Sequence, residues 1–450
     1  MSTFAFDSPA AAIDACRAAL GTVGTKEVPL AEAVGRLLAL APTLDRDSPA
    51  CDLSAMDGYA VGAPDLPSGT GSLSVLGAAA AGSPPPEHVA GSAVRIFTGA
   101  PVPAGCDRVI RQEQVRREGR GRAGTERIVV PAGLATAVPA GANVRRRGEN
   151  GRAGDPIAEP GTLVNAAVVA AAAACGLSTL TVRRRVRVAV LVTGEEVRAA
   201  PFPAAVPLRN ADARLPVPME MGSRELAPWE VRDANGPAVA ALLARRPYLR
   251  VSPPAYVGDD PTLLAQTLAV LLDRHDAVVT TGGVSVGDYD LVPDAVRAIG
   301  GRPLFHGLPI RPGKPVFAAV VESGTGAGRL ALGLPGNPVA ALCVARRIGI
   351  ELLRHVAGFP GPEPTALVEA LPPDDPADGR ADGPLPLWRF RPVRLDVRGD
   401  ENAETAGGLP VATAVDGRGA SDTVALARSD GFVEVPPGAA TAGRLPYRAW

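Results

Sequence analysis

Lysine is nearly missing from this chain of 450 residues: Lys26 and Lys314 are the only two, although Lys and Arg together number 46. Asp and Glu number 47, so the net charge is -1. No basic field is present to draw in nucleic acid or an anionic membrane. Cysteine is sparse. Cys16, Cys51, Cys106, Cys175 and Cys343 are scattered, odd in number and form no C-x-x-C pair, which argues against a disulfide framework and a structural zinc site. The histidines, His88, His275, His306 and His355, make no close pair and no Ser-His-Asp or Cys-His arrangement. Any metal should therefore be a hard cation held by oxygen, such as Mg²⁺. There is no Walker lysine motif and no G-x-G-x-x-G opening a helix. The most apolar stretch, "LVNAAVVAAAAACGL", is too short for a bilayer and contains Asn165. The first residues have neither a basic start nor a long apolar run, so a cytoplasmic protein with no membrane partner is expected.

What is present is ample apolar content, 46%, in a chain long enough for two to four domains. Residues 8–40 read as helical, with Ser8 as N-cap and Pro9 at the first helical position. Residues 51–137 carry short apolar runs between Gly and Pro, the pattern of a small β domain. A turn-rich connector and an Ala-rich helix from about Asn165 to Cys175 follow. From Arg185 the pattern alternates strand, Gly-rich turn and helix, which predicts a mostly parallel sheet with helices on both faces and helices at Ala238–Arg246, Pro261–Leu272, Val292–Ala298 and Pro338–Val356. In such sheets ligands sit at the carboxyl ends of strands. Residues 359–450 read as a C-terminal β-barrel or sandwich. The Pro-rich run Arg198–Pro228 reads as a surface insertion.

Several turns offer chemistry. In "TTGGVSVGDYD", Gly282, Gly283 and Gly287 let the backbone approach a ligand, Ser285 adds a hydroxyl, and Asp288 and Asp290 follow as acids for Mg²⁺ over a phosphate. The plainer reading is a hairpin with solvated acids. "IRPGKP" places the cations Arg311 and Lys314 around a turn at Gly313, suited to an anion. "LPGNP" supplies Pro335, Gly336 and Asn337, with Asn337 as N-cap and N–H groups offered at the helix start. "TGEEV" puts Glu195 and Glu196 after a strand, "VRDANGP" puts Asp233 and Asn235 before a helix, and "VGDDP" puts Asp259 and Asp260 at another helix start. Each alone is an ordinary cap or turn. Converging on one sheet edge, they would suit Mg²⁺-dependent chemistry on a phosphate anhydride. The run "DSPACDLSAMDGYAV" adds Asp47, Asp52 and Asp57.

"SAMDGYAV", "IFTGAPVPAG", "TGEEV", "TTGGVSVGDYD", "RPGKP" and "GLPGNPVAA" stand in the order seen in the molybdopterin molybdenumtransferases of the MoeA and gephyrin E-domain type, and the chain resembles that family over nearly its whole length. The resemblance implies four domains: an elongated linker domain from residues 1–50 and 138–182, an inserted small β domain at 51–137, a molybdopterin-binding three-layer α/β domain at 183–358, and a C-terminal β-barrel-like domain at 359–450. It implies a homodimer with each active site shared between subunits. It also implies Mg²⁺-dependent insertion of molybdate into adenylylated molybdopterin with release of AMP. The adenylyl-transferring molybdopterin enzyme and molybdoenzyme acceptors would be partners. Carried over residue by residue, Asp57, Thr98, Glu196, Asp259, Asp290 and Lys314 match the family's catalytic positions. Asp259 and Asp290, with Glu196 close by, would hold Mg²⁺. Arg311 and Lys314 would neutralise phosphate or molybdate, Gly282, Gly283 and Ser285 would bind the pyrophosphate or pterin side, and Asp57 and Thr98 would orient molybdate or the attacking group.

Three departures stand out. Gly307 occupies a place upstream of the basic turn where many relatives carry Lys. Ala234 in "RDAN" and Ala425 in "TVALA" replace hydroxyls. Loss of one cation and two hydroxyls leaves open a weakly active or non-catalytic paralogue that binds or carries molybdopterin or the finished cofactor.

Overall fold

Ser8 starts the first helix, α1 (Pro9–Ala19): its hydroxyl accepts from the Ala11 N–H at 3.3 Å, and Pro9 takes a position where no N–H is needed. The helical pattern does not run on to residue 40. Gly21 and Gly24 break it, Thr25–Pro29 is a strand (β1), and only Leu30–Ala33 (α2) returns to helix. In this computed structural model the described residues are 4–119, 126–199, 226–285, 291–322, 328–372, 385–396 and 409–450. They form two compact units, Leu40–Pro160 with Ala166–Leu180, and Met1–Ala39 with Gly161–Asn165 and Thr181–Trp450.

The first of these units is built on a six-stranded sheet. Its strands are β2 (Gly58–Val61), β3 (Gly71–Ala79), β4 (Ser92–Ile96), β5 (Arg108–Arg111), β6 (Arg116–Glu118) and β7 (Arg127–Val130), in the order β5–β2–β4–β3–β7–β6. Alternating side chains such as Tyr59, Val61, Ala93, Ile110 and Ile128 fill its core. The Ala-rich helix α3 (Ala166–Ala174) lies where the sequence puts it.

The other unit holds the α/β sheet. Its elements are β8 (Val186–Thr193), α4 (Asn235–Ala244), β9 (Leu249–Val251), β10 (Ala255–Val257), α5 (Pro261–Arg274), β11 (Ala277–Thr281), α6 (Val292–Ala298), β12 (Arg302–His306), β13 (Ile310–Arg311), β14 (Phe317–Val321), β15 (Arg329–Leu334) and α7 (Pro338–Val344). The order is β9–β8–β11–β15–β14–β12, with β10 also on β8. The pairs β8–β9, β8–β10, β8–β11 and β11–β15 are parallel, and the β14 pairings are antiparallel. Val188, Val190 and Val279 face one apolar cluster while Ala189, Leu191 and Val278 face another, so both sides of the sheet are covered. The run from Pro338 continues as a π turn (Ala345–Gly349) and a second α segment to Val356, matching the length expected.

The C-terminal strands are β16 (Ala366–Ala370), β17 (Trp388–Asp396), β18 (Val411–Ala414), β19 (Gly431–Val435) and β20 (Gly443–Ala449). They run β17–β18–β16–β20–β19, and β19 returns to β17, so the sheet closes into a small barrel. Strand β13, from the chain that carries the basic turn, pairs with β17 and ties the barrel to that turn. The expected insertion falls mainly at 200–225, outside the described residues. Its two stems pair as Val197–Arg198 with Val231–Arg232, and Arg198 bonds Glu230 at 2.8 Å.

Candidate functional site

Strand register makes the α/β site. Thr193 pairs with Val257, Val192 with Thr281, and Thr281 with Leu334, so β8, β10, β11 and β15 end level. The turns after them carry Glu195 and Glu196, Asp259, Gly282 and Gly283, and Pro335 to Asn337. At one strand spacing per step this row spans about 14 Å. The turns are bonded to one another. The Glu195 N–H donates to Asp259 Oδ2 at 3.2 Å. Thr193 Oγ1 donates to the Thr281 carbonyl at 3.2 Å. Asn235 Nδ2 donates to the Gly336 carbonyl at 2.6 Å, and its Oδ1 is buried with no partner among the described residues. Gly282 and Gly283 have φ of +88° and +65°. A side chain on Gly282 would press on Thr193 at 3.0 Å, so glycine is required twice over.

The two acids of "VGDDP" divide their work. Asp260 caps α5 by accepting from the Leu263 N–H at 2.8 Å, while half-buried Asp259 faces the Glu195 turn. Glu196 is exposed and folds back over Gly194, where an added Cβ would lie 2.7 Å from its Oε2. Ser285 is exposed at the end of the described part of its loop. Gly287 and Asp290 lie outside the described residues. Among the described residues no group of three or more His, Cys, Asp or Glu side chains is gathered as a metal site.

Asp233, read from sequence as a ligand-binding acid, is enclosed by its own unit. It is 6% exposed, and its oxygens accept from the Gly236 N–H at 2.9 Å and the Tyr256 hydroxyl at 3.0 Å. Burial raises its pKa above the usual carboxylate range despite these bonds. It supports the start of α4 from within, which also accounts for Ala234: the N-cap there has no side-chain bond, and Asp233 supplies the acceptor instead.

The basic turn borders a cleft of about 430 Å³ lined by Arg311, Gly313, Lys314, Pro335, Asn337 and Ala425 among others. Arg311 and Lys314 are exposed, and among the described residues neither has a carboxylate within ion-pair distance. The Lys314 ammonium lies 5.6 Å from the ring of Phe4. Gly313 packs so closely on α7 that a Cβ would meet Val344 at 2.4 Å. Gly307 has φ +83°, so a lysine there would be strained: this departure is set by backbone as well as by charge.

The start of α7 departs from expectation. Asn337 occupies the N-cap position without capping; its Oδ1 accepts from Ser421 Oγ at 2.9 Å. Pro338 has no N–H, and the Val339 N–H already donates to the Ala420 carbonyl at 3.0 Å. The positive charge at this corner therefore comes from the two cations more than from the helix start. The loop bringing Ala420 and Ser421 was missed from sequence. Its signal was "GASDTVALA", where Asp422 caps α8 (Thr423–Ala427) by accepting from the Val424 and Ala425 N–H groups at 3.1 and 3.0 Å.

Asp57 and Thr98 lie together in the other unit. Asp57 Oδ1 accepts from both the N–H and the hydroxyl of Thr98, each at 2.8 Å. These bonds, the N–H first, hold the Asp57 carboxyl below the usual range. The neighbouring acids are engaged elsewhere: Asp47 bonds Arg147 and Asp52 bonds Arg146, each at 2.6 Å. Ser54 shapes the loop by donating to the Met56 carbonyl at 2.6 Å. Gly58 must be glycine, since a Cβ would stand 2.0 Å from the Ile110 carbonyl oxygen.

Known proteins agree with this architecture. Residues 8–176 match a family model described as the MoeA N-terminal region (domain I and II), and residues 189–355 one described as a probable molybdopterin binding domain. The molybdopterin molybdenumtransferase of a Nostoc species is 34% identical over 343 residues, covering 74% of this chain and 70% of that protein. The enzyme of the same name from Synechococcus elongatus is 33% identical, covering 71% and 72%. The crystal structure of the molybdopterin biosynthesis MoeA protein from Pyrococcus horikoshii superposes with a TM-score of 0.73 at 22% identity, over 98% of this chain and 99% of that one, and so shares its fold. By sequence kinship and by architecture, the chain belongs to the molybdopterin molybdenumtransferase family.

Proposed function

We propose that this transferase of molybdenum cofactor biosynthesis inserts molybdate into adenylylated molybdopterin with release of AMP. The observation that carries the reading is the Arg311–Lys314 turn. It presents two cations without acidic partners among the described residues, in a cleft that shares Pro335 and Asn337 with the carboxyl edge of the sheet. That corner has the charge for an oxyanion, and the level row of turns has the length for an extended phosphate-bearing ligand.

The residues divide the work. Arg311 and Lys314 hold the oxyanion. Gly282 and Gly283 let backbone amides approach the pyrophosphate, and Asn235 keeps Gly336 in place beside them. Asp57 and Thr98 orient molybdate or the attacking group. Asp259 and Glu196, with Asp290, offer the hard oxygen donors that Mg²⁺ prefers, and Mg²⁺ ordinarily takes only one or two carboxylates together with substrate phosphates. Bound there, it would neutralise charge on the anhydride. The chain acts as a homodimer. If sites combine two subunits, mixing the impaired Asp57→Asn and Lys314→Ala proteins raises activity above that of either alone; if each subunit is self-sufficient, it does not.

The test is AMP release from adenylylated molybdopterin with purified protein, Mg²⁺ and molybdate. Release should depend on molybdate and fall about ten- to a hundredfold in kcat/KM for Lys314→Ala. A carrier, the reading that Ala425 and Gly307 favour, would bind the ligand tightly and release no AMP over hours.

A further inference from the structure

Arg95, on β4 opposite Tyr59 of β2, has a set of contacts that all frame the Asp57 loop. Its Nη1 donates to the Gly58 carbonyl at 3.3 Å and its Nη2 to Gln112 Oε1 at 2.6 Å. The Gln112 N–H donates in turn to the Asp57 carbonyl at 3.2 Å. The guanidinium carbon lies 4.9 Å from the Tyr59 ring centroid and 5.1 Å from that of Phe97, the residue before Thr98. Phe97 is 41% exposed, so neighbouring core does not hold it fully. No carboxylate among the described residues ion-pairs with Arg95.

We propose that Arg95 is a positioning residue for turnover: it bonds the Gly58 carbonyl and the Gln112 side chain beside Asp57 and stacks on the Phe97 ring next to Thr98, and so fixes their hydrogen-bonded pair. A planar guanidinium suits this place because it donates along its edge while stacking on rings with its faces, which an ammonium cannot do. Its charge also helps hold Asp57 ionised, after the two Thr98 bonds. The proposal rests on the reading of Asp57 as functional.

The experiment compares Arg95→Met, Arg95→Lys, Asp57→Asn and the Arg95→Met/Asp57→Asn double variant by steady-state AMP release from adenylylated molybdopterin over a range of molybdate concentrations, alongside thermal melting. Arg95→Met should lower kcat about tenfold or more with the molybdate KM changed by less than about twofold, and Arg95→Lys should recover part of the loss. In the Asp57→Asn background the same Met substitution should cost less than about twofold further, because its target is gone. Should Arg95→Met not fold, Gln112→Ala removes the Arg95–Gln112 side-chain bond alone, leaving the Gln112 N–H on the Asp57 carbonyl and the Gly58 bond in place, and should give a milder kcat-selective fall. An equal loss in both backgrounds makes Arg95 merely structural and overturns the proposal. So does an Arg95→Met protein with parental kcat beside an inactive Asp57→Asn. Full activity in Asp57→Asn alone instead removes the reading of Asp57, and the clamp with it.

Discussion

Asp276 stands just before β11, at the end of the sheet away from the turns that form the site. Its carboxylate accepts from Arg184 Nη1 and Nη2 at 2.6 and 2.8 Å and from the Arg187 N–H at 2.8 Å. Burial alone would raise its pKa, yet these bonds outweigh it and bring the group down to about 2. Against an unfolded value of about 3.9, the difference contributes roughly 2.6 kcal/mol of stability at neutral pH. A depressed acid has its contribution in full above the unfolded pKa and loses it as pH falls through the folded one, so about half is gone by pH 3. The Asp276 side chain is 12% exposed, but its partners Arg184 and Arg187 are 33% and 45% exposed. Water can therefore take over the cations when the acid is removed, which keeps the cost near the linkage value and below the 3–5 kcal/mol of a fully buried pair. Asp276→Asn should lose about 2–3 kcal/mol in urea unfolding at pH 7 and about half that at pH 3, each measured against the parent. Molybdate-dependent AMP release at a permissive temperature should stay at the parental level. A pH 7 loss below about 0.5 kcal/mol, or a loss equal at both pH values, would refute the reasoning.

Glu434 is 4% exposed and bonds Arg347 Nε at 2.9 Å and Arg448 Nε, in a network that also holds Glu351, Glu363 and Arg346. Glu434→Gln removes the carboxylate paired with buried Arg347 and weakens the hold on Arg448, which keeps Glu351 and Glu363 nearby; it should destabilise by about 3 kcal/mol in thermal unfolding, whereas a loss under about 1 kcal/mol would mean the other acids compensate. Ala425 lines the cleft of Lys314, so Ala425→Ser returns a hydroxyl to it and should raise molybdate-dependent kcat/KM about tenfold; an unchanged value means the hydroxyl does not reach the oxyanion.

Much of this was legible because it rests on local rules. Ser8–Pro9 announces a helix start, "VRVAVLVT" a strand buried on both faces, and alternation of strand and helix a parallel sheet with its turns on one edge. What local rules cannot do is tell two chemically equal side chains apart. Asp259 and Asp260 are adjacent acids at a helix start, and only the direction of the chain entering α5 makes one a cap and leaves the other on the Glu195 turn. Asp233 precedes a helix as openly as Asp260 does, yet Tyr256, two strands further along the chain, closes over it. Among Asp47, Asp52 and Asp57 the decision lies with Arg146 and Arg147, about a hundred residues away, which occupy the first two. The loop at Ala420 and Ser421 reaches the start of α7 only because the barrel closes through β19 and β17, a long-range pairing with no local signature.

The same division bears on the three departures from the family pattern. Judged as missing polar groups, Gly307, Ala234 and Ala425 look alike. In the fold they are unlike. Ala234 sits at a helix N-cap whose acceptor is supplied by Asp233, so its lost hydroxyl is replaced within the scaffold. Gly307 adopts a φ of +83° close to the Lys314 carbonyl, a backbone that a lysine there would strain. Ala425 alone lines the cleft beside Arg311 and Lys314 with nothing in its place. If the chain turns over more slowly than its relatives, that position is the first to test, because it alone of the three lies on the cleft of Arg311 and Lys314, where a hydroxyl would stand beside any anion bound by them.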